Sequence, residues 1–245
     1  MSITIVSAFI YLATGNKSLE FYIEQGIKLL KLDIYKIIFI DEQVFTHFKD
    51  YQNDQTILIK TRIEDLYLYK YKEQLKNLWV NTDNPMKDTF DYFVIQCNKT
   101  EWIREAAEPR EATIETELDQ FIWLDFGIHH ILPADLNIIA HSFLSKPDSN
   151  KVRIPSIWDL ETYHLLDCKR DILWYFAGGV FGGPAKKIIE FADLTRAKCL
   201  QLVEQQQHLM WEVNIWYLVW QDNKSLFSVY KADHNESIIS NYNNK

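Results

Sequence analysis

The sequence predicts an α/β fold, with a mostly parallel central sheet flanked by helices. Three observations lead there. Three short β-rich segments, Ile3–Phe9, Tyr35–Ile40 and Thr56–Lys60, fall within the first quarter of the chain. Segments of helical spacing separate them, which is the pattern of βαβ units with right-handed crossovers. Further on, Gln120–Gly127 (Q-F-I-W-L-D-F-G) reads as a buried strand that ends in an acid and a glycine.

The elements follow in order. After the first strand, Gly15-Asn16 marks a turn and Ser18 is placed to cap a helix running through Leu32. The second strand ends in Asp41-Glu42. Phe45–Tyr51 is helical in pattern, as is Arg62–Trp79, and Asp83-Asn84-Pro85 is a turn. Asp91–Ala107 reads as one helix stopped by Pro109, and Glu111–Asp119 as an acidic loop or frayed helix. Residues 133–160 hold few regular signals, because Pro133, Pro147 and Pro155 break the chain. Arg170–Phe176 reads as a strand leading into a glycine cluster. Pro184 then suits the first turn of a helix spanning Lys186 to about Gln221, in one or two pieces. A short strand, Leu226–Tyr230, precedes a polar tail. The whole reads as one domain over residues 1–245.

Composition narrows the classes. With 47% hydrophobic and 24% charged residues the chain is globular, which excludes collagen-like and disordered sequences. A net charge of −8 without a basic stripe argues against nucleic acid as a partner. Three scattered cysteines, Cys97, Cys168 and Cys199, have no zinc spacing and point to a reducing, cytoplasmic setting. The first apolar run lacks a positive n-region and a cleavage pattern, and no stretch is long enough to span a membrane.

Glycine is scarce: seven in 245 residues, yet Gly178, Gly179, Gly182 and Gly183 share one hexapeptide. Such clustering needs a backbone reason, either close approach to a ligand, a positive φ, or a tight connection without a ligand. The cluster is not a phosphate-binding P-loop, since no G-K-S/T closes it. Asp125, at the carboxyl end of a strand, is placed to hold a metal-bound diphosphate or a ribose hydroxyl, or else to make a turn. His129 and His130 are adjacent, so at most one faces a given site. Glu212 lies among Met210, Trp211, Val213 and Trp216, where a carboxylate is either buried for acid–base work or on the polar face of a helix. Asp233-His234 offers metal ligands or a plain tail turn. Trp211, Trp216, Tyr217 and Trp220 are core, or an acceptor or homodimer surface.

Taken in order, several stretches resemble the HtrL/YibB-type (WlaTC) glycosyltransferases. They are I-V-S-A-F at Ile5–Phe9, N-K-T-E-W-I-R-E-A at Asn98–Ala106 and W-L-D-F-G at Trp123–Gly127. A-G-G-V-F-G-G at Ala177–Gly183, W-E at Trp211–Glu212 and A-D-H-N-E-S-I-I-S-N-Y at Ala232–Tyr242 complete the set. The resemblance implies a GT-A-like, Rossmann-type domain, with 1–127 as its nucleotide-binding half and 128–245 as its sugar- and acceptor-binding half, that moves a sugar from a nucleotide-sugar donor, a UDP-sugar first, to a glycan or other hydroxyl acceptor. It implies that Ser7, Ala8 and Phe9 meet the nucleotide and Lys99 its diphosphate or base. It places Asp125 at ribose and metal, Gly178, Gly179 and Gly182 along the sugar pocket, and Glu212 at the reacting sugar. His234 or Asp233 would close over a Mn²⁺- or Mg²⁺-bound diphosphate. One departure stands out: where such enzymes often carry D-x-D, this chain has Asp125-Phe126-Gly127, so glycine replaces the second acid. Two other readings compete. One is a nucleotide-sugar-binding protein without turnover. The other is a metal-dependent phosphoester hydrolase using Asp125, His130 and His234.

Overall fold

Strand β1 (Ile3–Phe9) alternates cleanly: Ile5 and Phe9 bury on one face of the sheet, Val6 on the other. The computed structural model describes residues 3–13, 17–75, 86–108, 120–132, 150–162 and 168–243. Helix α1 (Leu19–Leu30) starts where expected, with the Ser18 hydroxyl accepting from the Phe21 N–H at 3.2 Å. Its interior Gly26 would cost a free helix about 1 kcal/mol. Here it admits the Phe126 ring, which lies 2.1 Å from where a Cβ would stand. Phe126 in turn stacks on Phe9 at 4.9 Å, which ties α1 and the segment after β4 to the end of β1.

Strands β2 (Lys36–Asp41), β3 (Thr56–Thr61) and β4 (Gln120–Leu124) follow. With β5 (Val152–Ser156), β6 (Val180–Pro184) and β7 (Phe227–Lys231) they form a seven-stranded sheet in the order β3-β2-β1-β4-β6-β5-β7. Every neighbouring pair is parallel except the two that involve β6. The α/β, mostly parallel class read from the sequence is therefore present. The chain winds from β1 through β2 to β3 on one side, while β4 lies on the other side of β1. The order reverses between β1 and β4, the position at which open sheets of this kind hold ligands.

Helices cover both faces. On one lie α2 (Phe90–Cys97), α3 (Lys99–Ala107), α4 (Ala185–Gln206) and α5 (Glu212–Asp222). The other is covered by α1 and by the tail around α6 (Ser237–Ser240), where Ile238, Ile239 and Tyr242 pack with Ile122 and Val180. Trp211, Trp216 and Trp220 are buried, so the aromatic segment is core. No helix among the described residues is long and apolar enough to cross a membrane.

Several expectations change. Arg170–Phe176 is not a strand: only Phe176 bridges, to Ser156, and the strand is instead Val180–Pro184, two glycines included. Helices cannot be threaded through Phe45–Tyr51 or the described part of Arg62–Trp79, which form short 3-10 turns. Asn98 divides the expected helix 91–107 into two. Gln207, at φ 49°, ends α4 in a left-handed cap and separates it from α5. Strand 120–127 stops at Leu124, leaving Asp125 just past its carboxyl end. Strand β5 went unread because Pro155 sits in it, and proline removes a ladder donor. Its registered pairing with β6 is confined to Arg153 opposite Gly182, and Pro155 contributes its carbonyl, accepting from the Ala177 N–H at 3.1 Å. The turns at Gly15-Asn16 and Asp83–Pro85, Pro109 and the 111–119 segment lie outside the described residues.

Candidate functional site

A cavity of about 260 Å³ opens over the carboxyl ends of β1 and β4. Ala8 and Phe9 line it from β1, Ile10 from just beyond, and Asp125 to Ile128 and His130 from the segment after β4. Lys17, ahead of the α1 cap, joins Phe21 and Tyr22 of its first turn, and α2 with its approach adds Lys87, Tyr92 and Gln96.

Behind this cavity three charged side chains meet. Lys99 is the first residue of α3 and is only 3% exposed. Its Nζ lies 2.9 Å from Asp125 Oδ1, 3.2 Å from Asp125 Oδ2, 3.0 Å from Glu212 Oε1 and 3.1 Å from the Gly178 carbonyl. Burial works against the ammonium charge, but Asp125 and Glu212 together outweigh it, and the Lys99 pKa is held above its ordinary value. Asp125 keeps 38% of its side chain exposed to the cavity. Its Oδ1 also accepts from the Trp123 indole N–H at 2.8 Å, and its backbone N–H donates to the Gly179 carbonyl. Glu212 is buried at 3% exposure and opens α5, where a helix N-terminus favours an anion. Its second oxygen, Oε2, is buried and has no partner among the described residues. The hydroxyls of Tyr22 and Tyr92 stay protonated: burial raises both pKa values, and the neighbouring carboxylates add to the shift.

The glycines divide into two pairs. A Cβ on Gly178 would stand 2.3 Å from Glu212 Oε1, and one on Gly179 would touch Ile128 and come within 3.9 Å of Asp125 Oδ2. These two border the charged cluster. Gly182 and Gly183 lie inside β6, where a Cβ would meet the Phe121 carbonyl at 2.7 Å and the Lys151 carbonyl at 2.8 Å. Gly182 packs within the sheet and does not line the cavity: the Phe121 carbonyl of β4 and the Tyr242 hydroxyl crowd the place where its Cβ would stand. No glycine among the described residues has a positive φ, so close approach is the reason for the cluster.

The other sequence candidates scatter. Ser7 is fully buried within β1 and lines no part of the cavity, whereas Ala8 and Phe9 do. His130 borders the cavity, with its Nδ1 on the Gly127 carbonyl. His129 is buried, neither ring nitrogen has a partner among the described residues, and burial lowers its pKa to about 4. His234 is exposed, its ring 4.4 Å from that of Trp174, and the Asp233 carboxylate accepts from the His234 N–H. Among the described residues no three His, Cys, Asp or Glu side chains come together as metal ligands. Asp125, Asp233 and His234 are therefore not gathered into one three-ligand group, and the Lys99 ammonium and the Trp123 indole already engage both Asp125 oxygens. With its oxygens taken by an ammonium and an indole N–H, the Asp125 carboxylate is a poor fit for a resident Mn²⁺ or Mg²⁺.

Sequence reasoning missed Lys17, Tyr22, Lys87, Tyr92 and Gln96. A signal was available for part of this set, since Tyr92, Gln96 and Lys99 recur at helical spacing.

No protein-family model and no curated protein matches this chain. Among solved structures it is similar to mouse xyloside xylosyltransferase 1 in its apo form, at 11% identity over 100% of this chain and 93% of that one, TM-score 0.49. It is also similar to the 2-C-methyl-D-erythritol 4-phosphate cytidylyltransferase of Francisella tularensis, at 9% identity over 96% of this chain and 93% of that one, TM-score 0.46. Likenesses this distant say nothing about chemistry.

Proposed function

We propose that the chain is a glycosyltransferase that moves a sugar from a nucleotide-sugar donor, a UDP-sugar first, to a hydroxyl acceptor such as a glycan. One observation carries the reading: the cavity sits where the strand order reverses, and a half-exposed carboxylate, Asp125, projects into it from a strand end. The resemblance of several stretches to the HtrL/YibB-type glycosyltransferases points the same way.

The chemistry breaks the bond from the anomeric carbon to the diphosphate oxygen and forms one to the acceptor oxygen. Negative charge gathers on the leaving nucleoside diphosphate, so cationic and hydrogen-bonding groups are needed there. The acceptor hydroxyl loses a proton to a base. Lys17, Lys87 and the Tyr22 and Tyr92 hydroxyls surround the cavity as candidate donors to the diphosphate. Asp125 is the reachable carboxylate. Glu212 lies behind it, joined through Lys99, and is a positioning group in this arrangement.

The test is a thermal-shift panel of UDP-, GDP-, CMP- and dTDP-sugars, since a ligand that binds the native state raises the melting temperature by mass action. A shift with one nucleotide class, abolished in Asp125→Ala, is expected. No shift with any of them overturns the reading. The burial of Glu212 favours a second reading, a nucleotide-sugar-binding protein without turnover. Donor binding with neither transfer nor donor hydrolysis would establish that one instead.

A further inference from the structure

Lys99 occupies the centre of an oxygen cage, and the manner of its seating has a chemical meaning. Two carboxylates from distant parts of the chain and one main-chain carbonyl converge on a single point. Converging carboxylate and carbonyl oxygens are the ligands that hard divalent cations such as Mg²⁺ and Mn²⁺ take. Here the point is filled by nitrogen at 2.9–3.2 Å, the spacing of charge-assisted hydrogen bonds. An ammonium has three N–H donors and no acceptor, and these contacts use all of them.

The surroundings are built to keep the lysine there. Lys99 begins α3, so its backbone is fixed by the helix, and its side chain is 4% exposed. Gly178 leaves bare backbone beside it: a Cβ would stand 3.3 Å from Nζ and would strike Glu212. The Trp123 indole takes a further lone pair of Asp125. No third His, Cys, Asp or Glu joins the pair among the described residues. A metal ion entering this cage would have to displace a buried cation that three groups hold.

The charge needed by a diphosphate can come from elsewhere. Lys17 and Lys87 line the cavity mouth, lying over the rings of Phe21 and Tyr92 at 5.0 and 5.8 Å, and neither has a carboxylate partner among the described residues. Resting on the transferase reading above, we propose that Lys99 is a built-in counter-ion in the place of a divalent metal, and that the donor's diphosphate binds without metal. Lys99 is then a positioning residue: it holds Asp125 toward the cavity and compensates the buried Glu212, while Lys17 and Lys87 meet the phosphates.

The experiment has three arms. Chelator-treated wild-type protein is titrated with Mn²⁺ and with Mg²⁺ alone, following the melting temperature and, for Mn²⁺, the free-ion signal by paramagnetic resonance. No stoichiometric uptake is expected, and one tightly bound ion per chain overturns the proposal. UDP, GDP, CDP and dTDP are then titrated calorimetrically in chelator and in Mn²⁺. Equal affinity in the two buffers is expected, and a loss of about tenfold or more in chelator overturns the proposal. If no nucleotide binds in either buffer, the transferase reading fails, and the metal-alone arm still decides whether the cage accepts a divalent ion. Lys99→Met empties the cage, and the folded variant is expected to gain a melting-temperature rise with Mn²⁺ that wild type lacks. A folded variant without that gain overturns the cage. Should the variant not fold, the two wild-type arms carry the decision.

Discussion

Lys99 and His129 are both bases buried at the carboxyl edge of the sheet, one on each side of the end of β4. Burial pushes both toward the neutral form. They end in opposite states. Two carboxylates hold Lys99 charged, whereas His129 has no partner among the described residues and its pKa falls to about 4. Depth does not decide the protonation state here; the presence of a facing charge does. The structure spends carboxylates on the base that borders the cavity and none on the base behind α1.

The comparison can be broken first at its charged side. Lys99→Met leaves Glu212 buried without its cation, and losing one partner of a buried pair costs about 3–5 kcal/mol. Urea unfolding at neutral pH should show that loss. A loss below about 1 kcal/mol would mean that the cluster is solvated and that the pairing is weak.

The neutral side responds to pH. The folded-state pKa of His129 lies below its unfolded value, so the unfolded chain binds a proton that the folded chain refuses. Stability is therefore present above about pH 6.5 and is lost as pH falls toward 4. At about 1.4 kcal/mol per pKa unit the loss reaches about 3 kcal/mol. His129→Leu should flatten that part of the stability-versus-pH curve. An unchanged slope would assign the acid sensitivity to other groups.

Smaller changes sharpen the same contrast. Gly178→Ala places a Cβ 2.3 Å from Glu212 Oε1. The carboxylate must turn away from Lys99, at about 1–3 kcal/mol. Gly179→Ala meets the Ile128 methyl at 3.0 Å and the Ile238 methyl at 3.4 Å, both movable ends, and should cost under about 1 kcal/mol. Melting temperatures of the two variants measured side by side test the ranking. Equal values would show that Glu212 is free to move and that Lys99 is not caged.

How far the sequence could be read follows from the range of each signal. β1 to β3 announce themselves by β-branched runs and β4 by the apolar run Phe121–Leu124, and the start of α1 follows from the Ser18 cap, whereas the helix break at Gln207 has no such local mark. Asp125 was visible because a strand ended there. The burial of Glu212 had only an ambiguous local signature, apolar neighbours that suit a buried acid and the polar face of a helix alike. Its partner, Lys99, is 113 residues away, and neither helical periodicity nor a motif records that distance. Strand β6 was hidden for another reason. Glycine lowers strand propensity, so V-F-G-G-P reads as a loop until the neighbours that need the missing side chains are known. Pro155 hid β5 in the same way, by breaking a rule that holds only where its N–H would be required.

The bare track of β6 also sets an order of events. One apolar face of the sheet is closed by Ile238, Ile239 and Tyr242, with Tyr242 lying against Gly182. During synthesis every strand of the sheet leaves the ribosome before that cover does. Until residue 242 has been made, Ile5, Ile122 and Val180 lack part of their lid, and a nascent chain paused in that interval presents an apolar surface to chaperones.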